Sequence, residues 1–159
     1  MIYATDGCKI AGTGDSIRGM NGLVIDTNVF VSALRSADGA SRAVIRRCLQ
    51  GQYTPCMSLA LFAEYRDVMG REQLFAESPL TTGERLELFH AFLAVCQLTE
   101  IYYLWRPNLR DEADNHVLEL AVAAGAKAIV TYNRTDFLGA ELHFPELRIL
   151  APADLLKER

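Results

Sequence analysis

Lysine is scarce in this chain: only Lys9, Lys127 and Lys157 occur, so 13 of the 16 basic side chains are arginine. A protein that coats nucleic acid with a general positive field is disfavoured further by the formal net charge of −4, although net charge says little about local fields. Long hydrophobic runs are missing too. Half of the residues are hydrophobic, yet no stretch of eighteen apolar residues exists that could cross a bilayer as a helix. The cysteines are few and scattered, at Cys8, Cys48, Cys56 and Cys96, with no CxxC pair among them. That spacing suggests neither a zinc site nor a disulfide scaffold, and a reduced, soluble, cytoplasmic chain is expected. Residues 1–21 hold Gly7, Gly12, Gly14 and Gly19 without sustained periodicity, and no basic segment leads into an apolar one as in a secretory signal. They read as an N-terminal extension, with one folded domain over 22–159, since 159 residues suffice for one ordinary domain and not for two.

What the chain does have is a repeated way of ending strands. Leu23-Val24-Ile25 is a short apolar run that passes into Asp26, Thr27 and Asn28 before the helical spacing of Val29, Phe30, Ala33 and Leu34. This is a strand, a turn and a helix, with Asp26 at the strand's C-terminal end. In open α/β sheets that end faces the ligand crevice, so Asp26 is either a helix cap or a site residue. Ala126 to Thr131 repeats the pattern, delivering Thr131, Asn133, Arg134, Thr135 and Asp136 where the strand stops.

Two further acids border apolar helical stripes. A strand is expected at Tyr53 to Met57 and a helix from Ser58 to about Met69, on which Glu64 lies beside the face made by Leu61, Tyr65 and Val68. A carboxylate at such an edge needs a cation, a proton or a metal, and Arg66 or Arg71 would serve as the first. The segment Arg110 to His116 opens another helix, with Asp111 a natural N-cap and Asp114 three and four residues ahead of Val117 and Leu118. His116 and Glu119 on one turn do not make a zinc site. A helix over Ala40 to Gln50 carries Arg42, Arg46 and Arg47, which suit bidentate phosphate contact or simply form a solvated face. Thr81 to Cys96 is the longest helical pattern and its apolar face is wide enough for two neighbours, either two elements of the same chain or one element and a second subunit. Strands follow at Thr99 to Leu104 and Leu147 to Leu150, and Pro152 starts a terminal helix. Strands alternating with helices give an α/β fold with a parallel sheet.

Taken together, IDTNVFVSAL, the helix bearing Glu64, RDEADNHVLELAVAAGA and AIVTYNRTDF resemble, in order and spacing, the motifs of the PIN-domain family, from about Asn21 to the C-terminus. The resemblance implies a three-layer α/β/α sandwich with a central, mainly parallel sheet. It implies a Mg²⁺- or Mn²⁺-dependent ribonuclease acting on single-stranded RNA, commonly the toxin of a toxin–antitoxin pair, working as a homodimer with a cognate antitoxin as partner. Carried onto this chain, it assigns Asp26, Glu64, Asp114 and Asp136 as catalytic metal ligands. Asn28, Asp111, Thr131 and Asn133 would support them, and Arg42, Arg46 and Arg134 would contact RNA. Asn133 stands where many members carry aspartate, with Asp136 three residues on. It leaves open a domain of this fold that binds RNA or a protein without cutting.

The chemistry suits those residue types. Mg²⁺ and Mn²⁺ take hard oxygen ligands and keep several waters, and four convergent acids would repel one another without a cation. Two rivals fit less well. A receiver-type signalling domain needs a lysine after a late strand, whereas Lys127 precedes one; an aspartyl phosphatase needs a second aspartate where Asn28 stands.

Overall fold

The computed structural model describes residues 21–101 and 114–158. Its centre is a five-stranded, all-parallel sheet in the order β3-β2-β1-β4-β5, where β1 is Gly22–Ile25, β2 Thr54–Met57, β3 Gln97–Leu98, β4 Ala128–Val130 and β5 Arg148–Leu150. Seven helices complete a three-layer α/β/α arrangement among the described residues: α1 Thr27–Arg35, α2 Ala40–Leu49, α3 Leu59–Met69, α4 Thr82–Val95, α5 Asn115–Ala124, α6 Leu138–His143 and α7 Pro152–Lys157.

Strand order explains where a site can form. The chain leaves β1 for β2 and β3 on one side, then returns to place β4 against the other side of β1. Connections diverge above the C-terminal ends of β1 and β4, and the crevice they leave is the usual ligand position of such sheets. Register brings the two ends level: Ile25 is opposite Val130, and the Asp26 amide donates to the Val130 carbonyl at 3.0 Å. Asp26 and Thr131 therefore emerge side by side.

Local signals in the sequence set most element ends. Ser58 caps α3 by accepting from the Leu61 amide at 3.1 Å. Thr81 and Glu84 form the reciprocal capping box that starts α4. Gly125 ends α5 in the left-handed region, with φ 61°, where a side chain would be strained. The core runs through both sides of the sheet and includes an aromatic cluster of Phe30, Tyr65, Phe89 and Phe92 that joins α1, α3 and α4.

One strand differs from expectation. Among the described residues the third strand is Gln97–Leu98, and Thr99 to Ile101, the described part of the run expected at Thr99 to Leu104, follow it outside any strand, because α4 ends at Val95 and Cys96 is already extended. Pairing with β2 then fixes Cys56 against Gln97 and Met57 against Leu98, and the Thr99 amide closes on the Met57 carbonyl at 2.7 Å. The apolar run beyond Ile101 lies outside the described residues, as do residues 1–20 of the extension expected at 1–21 and Asp111 with its expected capping role.

Candidate active site

Asp26 is 4% exposed, and its carboxylate is held from two directions. Thr131 Oγ1 donates to Asp26 Oδ2 at 2.8 Å and Asn28 Nδ2 to the same oxygen at 3.2 Å. The threonine hydroxyl is itself fixed, accepting from Asn28 Nδ2 at 3.3 Å and from the Asn133 amide at 3.0 Å. Asp26 is the first residue before α1, yet its side chain makes no capping bond there. Of its two sequence readings, a helix cap is thus set aside. The carboxylate is engaged instead by the side chains of Thr131 and Asn28.

Thr27 links this carboxylate to the next. Its hydroxyl donates to Glu64 Oε1 at 2.8 Å and lies 3.5 Å from Asp26 Oδ1. The other Glu64 oxygen, Oε2, is 2.7 Å from His116 Nε2. The partner of Glu64 is therefore a histidine from α5 and a threonine from α1, while Arg71 contributes only a weaker long-range attraction. Tyr65, one residue on, is wholly buried and donates to the Ile25 carbonyl at 2.8 Å, which ties α3 to the last residue of β1.

The two acids are pushed in opposite directions. Burial raises the Asp26 pKa, and the charge of Glu64 adds to the rise, against the lowering effect of the Thr131 bond. The His116 hydrogen bond holds Glu64 below its ordinary value despite partial burial. His116 is pulled down by burial, but the Glu64 bond and charge, with the charges of Asp26 and Asp114, outweigh this and raise it. A buried acid whose pKa is raised partly by the charge of a second acid nearby is the electrostatic pattern of carboxylates gathered around a position that favours positive charge.

A family model described as a PIN domain matches residues 22–135, well over half of the chain. The chain belongs to the PIN-domain family. PIN domains are generally nucleases, and membership suggests nuclease activity here in general. No curated protein matches the chain.

Not every PIN-motif residue is joined in the same way. Asp26 and Glu64 are linked through Thr27, and Asp114, at the start of α5, acts on the same His116 through its charge. Asp136 sits half-buried in the 3₁₀ turn Arg134–Phe137, where its amide donates to the Asn133 carbonyl at 3.2 Å. Among the described residues no hydrogen bond or ion pair joins the Asp136 carboxylate to the Asp26–Glu64–His116 chain, and no group of three or more His, Cys, Asp or Glu closes to metal-holding distance.

The arginines are spread over different tasks. Arg42 Nε donates to the Ala33 carbonyl at 2.7 Å, tying α2 to the end of α1, and Arg134 pairs with Asp154 at 3.3 Å. Arg46 is exposed in the last turn of α2. Arg35, at the end of α1, instead lines a cleft beside Thr27, Asn28 and Tyr132.

The coupling of Glu64 and His116 gives a pH-dependent stability. Glu64 is depressed, so its contribution is present above its ordinary 4.5 and lost as pH falls. His116 is raised, so its contribution is complete below its ordinary 6.5 and disappears as pH climbs through the raised value. Both are present in full between those two values. In EDTA, the Tm gap between wild type and His116→Gln should be largest near pH 5.5 and shrink toward pH 9, when measured by circular dichroism across that range. A gap that is constant or widens with pH would show that the pair is not charged as described.

Proposed function

We propose that this PIN domain is a metal-dependent endoribonuclease that hydrolyses phosphodiester bonds of single-stranded RNA at the crevice above β1 and β4. The observation that carries this reading is the buried Asp26, fixed by Thr131 and Asn28 and linked through Thr27 to Glu64 and His116. Preference for RNA, and the setting of a toxin paired with an antitoxin in a homodimer, rest on the motif resemblance; a cytoplasmic location rests on the scattered cysteines.

The donor set fits a hard divalent cation. Asp26 and Glu64 offer carboxylate oxygens from two elements, and among the described residues the side-chain donors of Thr131 and Asn28 both go to Asp26 Oδ2, which leaves Oδ1 the less engaged oxygen. Mg²⁺ ordinarily uses one or two protein carboxylates together with waters and substrate phosphates, so this pair is enough to found a site. Asp26 and Glu64 would hold the ion, with Asp114 and Asp136 assisting directly or through water. Such an ion lowers the pKa of bound water and neutralises charge on the phosphate.

The protein's own contribution is alignment. Thr131 and Asn28 clamp one oxygen of Asp26, leaving the other directed, and the Thr27 hydroxyl spaces Glu64 from it. His116 and Thr27 hold the two oxygens of Glu64, which fixes the orientation of its carboxylate. Thr131→Val keeps the shape but removes a hydroxyl that makes three hydrogen bonds among the described residues, donating to Asp26 and accepting from the Asn28 side chain and the Asn133 amide. Losing a group that orients a ligand in this way typically costs 10- to 100-fold in metal affinity or activity, and about that loss of cleavage rate is expected. An unchanged rate in a folded Thr131→Val variant would remove the clamp from the account.

A second reading is a PIN domain that binds RNA or a protein without cutting. The specific observation in its favour is Asn133, an exposed amide where many relatives carry an acid. Incubating the purified chain with a labelled single-stranded RNA, the same sequence as duplex RNA and its DNA counterpart separates the two. Cleavage confined to single-stranded RNA supports the proposal; retention of intact RNA without cleavage supports the binding domain.

A further inference from the structure

Next to the acids lies a cavity of about 680 Å³, walled by Thr27, Asn28, Val31, Arg35, Leu74 and Tyr132 among others. Two of its walls are the residues that donate to the catalytic carboxylates, Thr27 to Glu64 and Asn28 to Asp26. The cavity is therefore continuous with the proposed site of bond cleavage.

Tyr132 is its most distinctive wall. The residue directly follows Thr131, whose hydroxyl holds Asp26, and it remains 50% exposed although it is a large aromatic. It is also anchored at both ends. Its phenolic oxygen is 2.5 Å from Ser41 Oγ on α2, and its backbone amide donates to Asn28 Oδ1 at 3.3 Å. A ring held this firmly while half in solvent has no packing role that requires the exposure. Across the cavity, Arg35 is exposed and makes no salt bridge among the described residues. Val31 and Leu74 add apolar wall, and Glu77 adds an acceptor that disfavours a second phosphate and suits a base instead.

An anchored aromatic face with one free guanidinium beside it is the combination that single-stranded nucleic acids use: a base stacks and its phosphate is neutralised. On the RNA reading above, we propose that this cavity binds the nucleotide flanking the cleaved bond, with its base against Tyr132 and its phosphate on Arg35. Ser41 acts through Tyr132, as the residue that fixes the ring.

The test uses the full chain and a 5′-labelled single-stranded RNA of mixed sequence, intact or with one abasic nucleotide placed in turn at each position around the cut. Tyr132→Ala should lower kcat/KM on intact RNA about tenfold, mainly through KM, since stacking on an aromatic is worth that order of affinity per base. Tyr132→Phe should stay within about twofold, because the ring face remains. In wild type, one abasic position beside the cut should cause a loss of similar size, and the same position should cause none in Tyr132→Ala. Equal sensitivity of wild type and Tyr132→Ala to every abasic position would overturn the inference while leaving RNA cleavage intact. Should wild type fail to cut RNA at all, the nuclease reading falls, and anisotropy binding of the same RNA decides this one. Affinity that drops about tenfold in Tyr132→Ala and not in Tyr132→Phe upholds the nucleotide cavity; affinity indifferent to Tyr132 refutes it.

Discussion

Asp26→Asn should reduce RNA cleavage by at least about 100-fold while leaving the folded protein at least as stable as wild type at pH 7. The two halves of this expectation come from the same environment. Asp26 is buried, and burial together with the Glu64 charge pushes its pKa up, so the ionised carboxylate is held at a cost to folding. Asparagine keeps the size and one acceptor for Thr131 or Asn28 and removes that charge. What it also removes is the strongest anionic donor of the proposed metal site, and with it the electrostatic assistance to water activation. Cleavage rate and Tm measured side by side check both halves. A variant that unfolds would show Asp26 to be a structural acid, and one that cleaves normally would move the chemistry elsewhere.

Phe30→Ala should cost about 3–5 kcal/mol of stability, the usual range for deleting a fully buried aromatic, and lower Tm by roughly 10 °C. Phe30 is wholly buried, with ring centroids 5.2 Å from Tyr65, 5.8 Å from Phe89 and 5.1 Å from Phe92. It stands on the first turns of α1, just beyond the Asp26 junction, and Tyr65 reaches from the same cluster to the Ile25 carbonyl. The cluster thus fixes both ends of the turn that carries Asp26 and the helix that carries Glu64. Denaturant unfolding measures the loss, and a change below about 1 kcal/mol would mean that the cavity collapses without consequence and the cluster does not anchor the site.

The acidic centre was legible in the sequence where local chemistry determines it. An apolar strand running into Asp26-Thr27-Asn28, a second one ending at Thr131, and Glu64 at the edge of an amphipathic stripe follow from period and capping alone. What could not be read was which side chains meet across elements. On its own helix His116 has Glu119 at ligand spacing, which gives no metal site; its partner, Glu64, comes from α3, and only tertiary packing brings them to 2.7 Å. A half-polar helix start directly after Asp114 was the available signal. The arginines show the same limit. Arg42 lies on the expected helix, but its guanidinium turns back to the Ala33 carbonyl, and Arg134 is engaged by Asp154 from the terminal helix. Arg35, at the end of α1, lines the cleft instead. An apolar run marks a candidate strand, whereas pairing with β2 selects Gln97–Leu98 ahead of Thr99 to Ile101, the described part of the expected run. Asp136 follows the motif by spacing, and the 3₁₀ turn decides where its carboxylate goes.

The central claim is that the acids above β1 and β4 act through a divalent cation, and it is tested most directly by one titration. Purified protein stripped with EDTA is mixed with single-stranded RNA, and the initial cleavage rate is followed as Mg²⁺ or Mn²⁺ is added back, with Asp26→Asn run in parallel. The account predicts no cleavage in EDTA, saturable recovery with either ion in wild type, and no recovery in the variant. Full cleavage in EDTA, or equal recovery in wild type and Asp26→Asn, would contradict it.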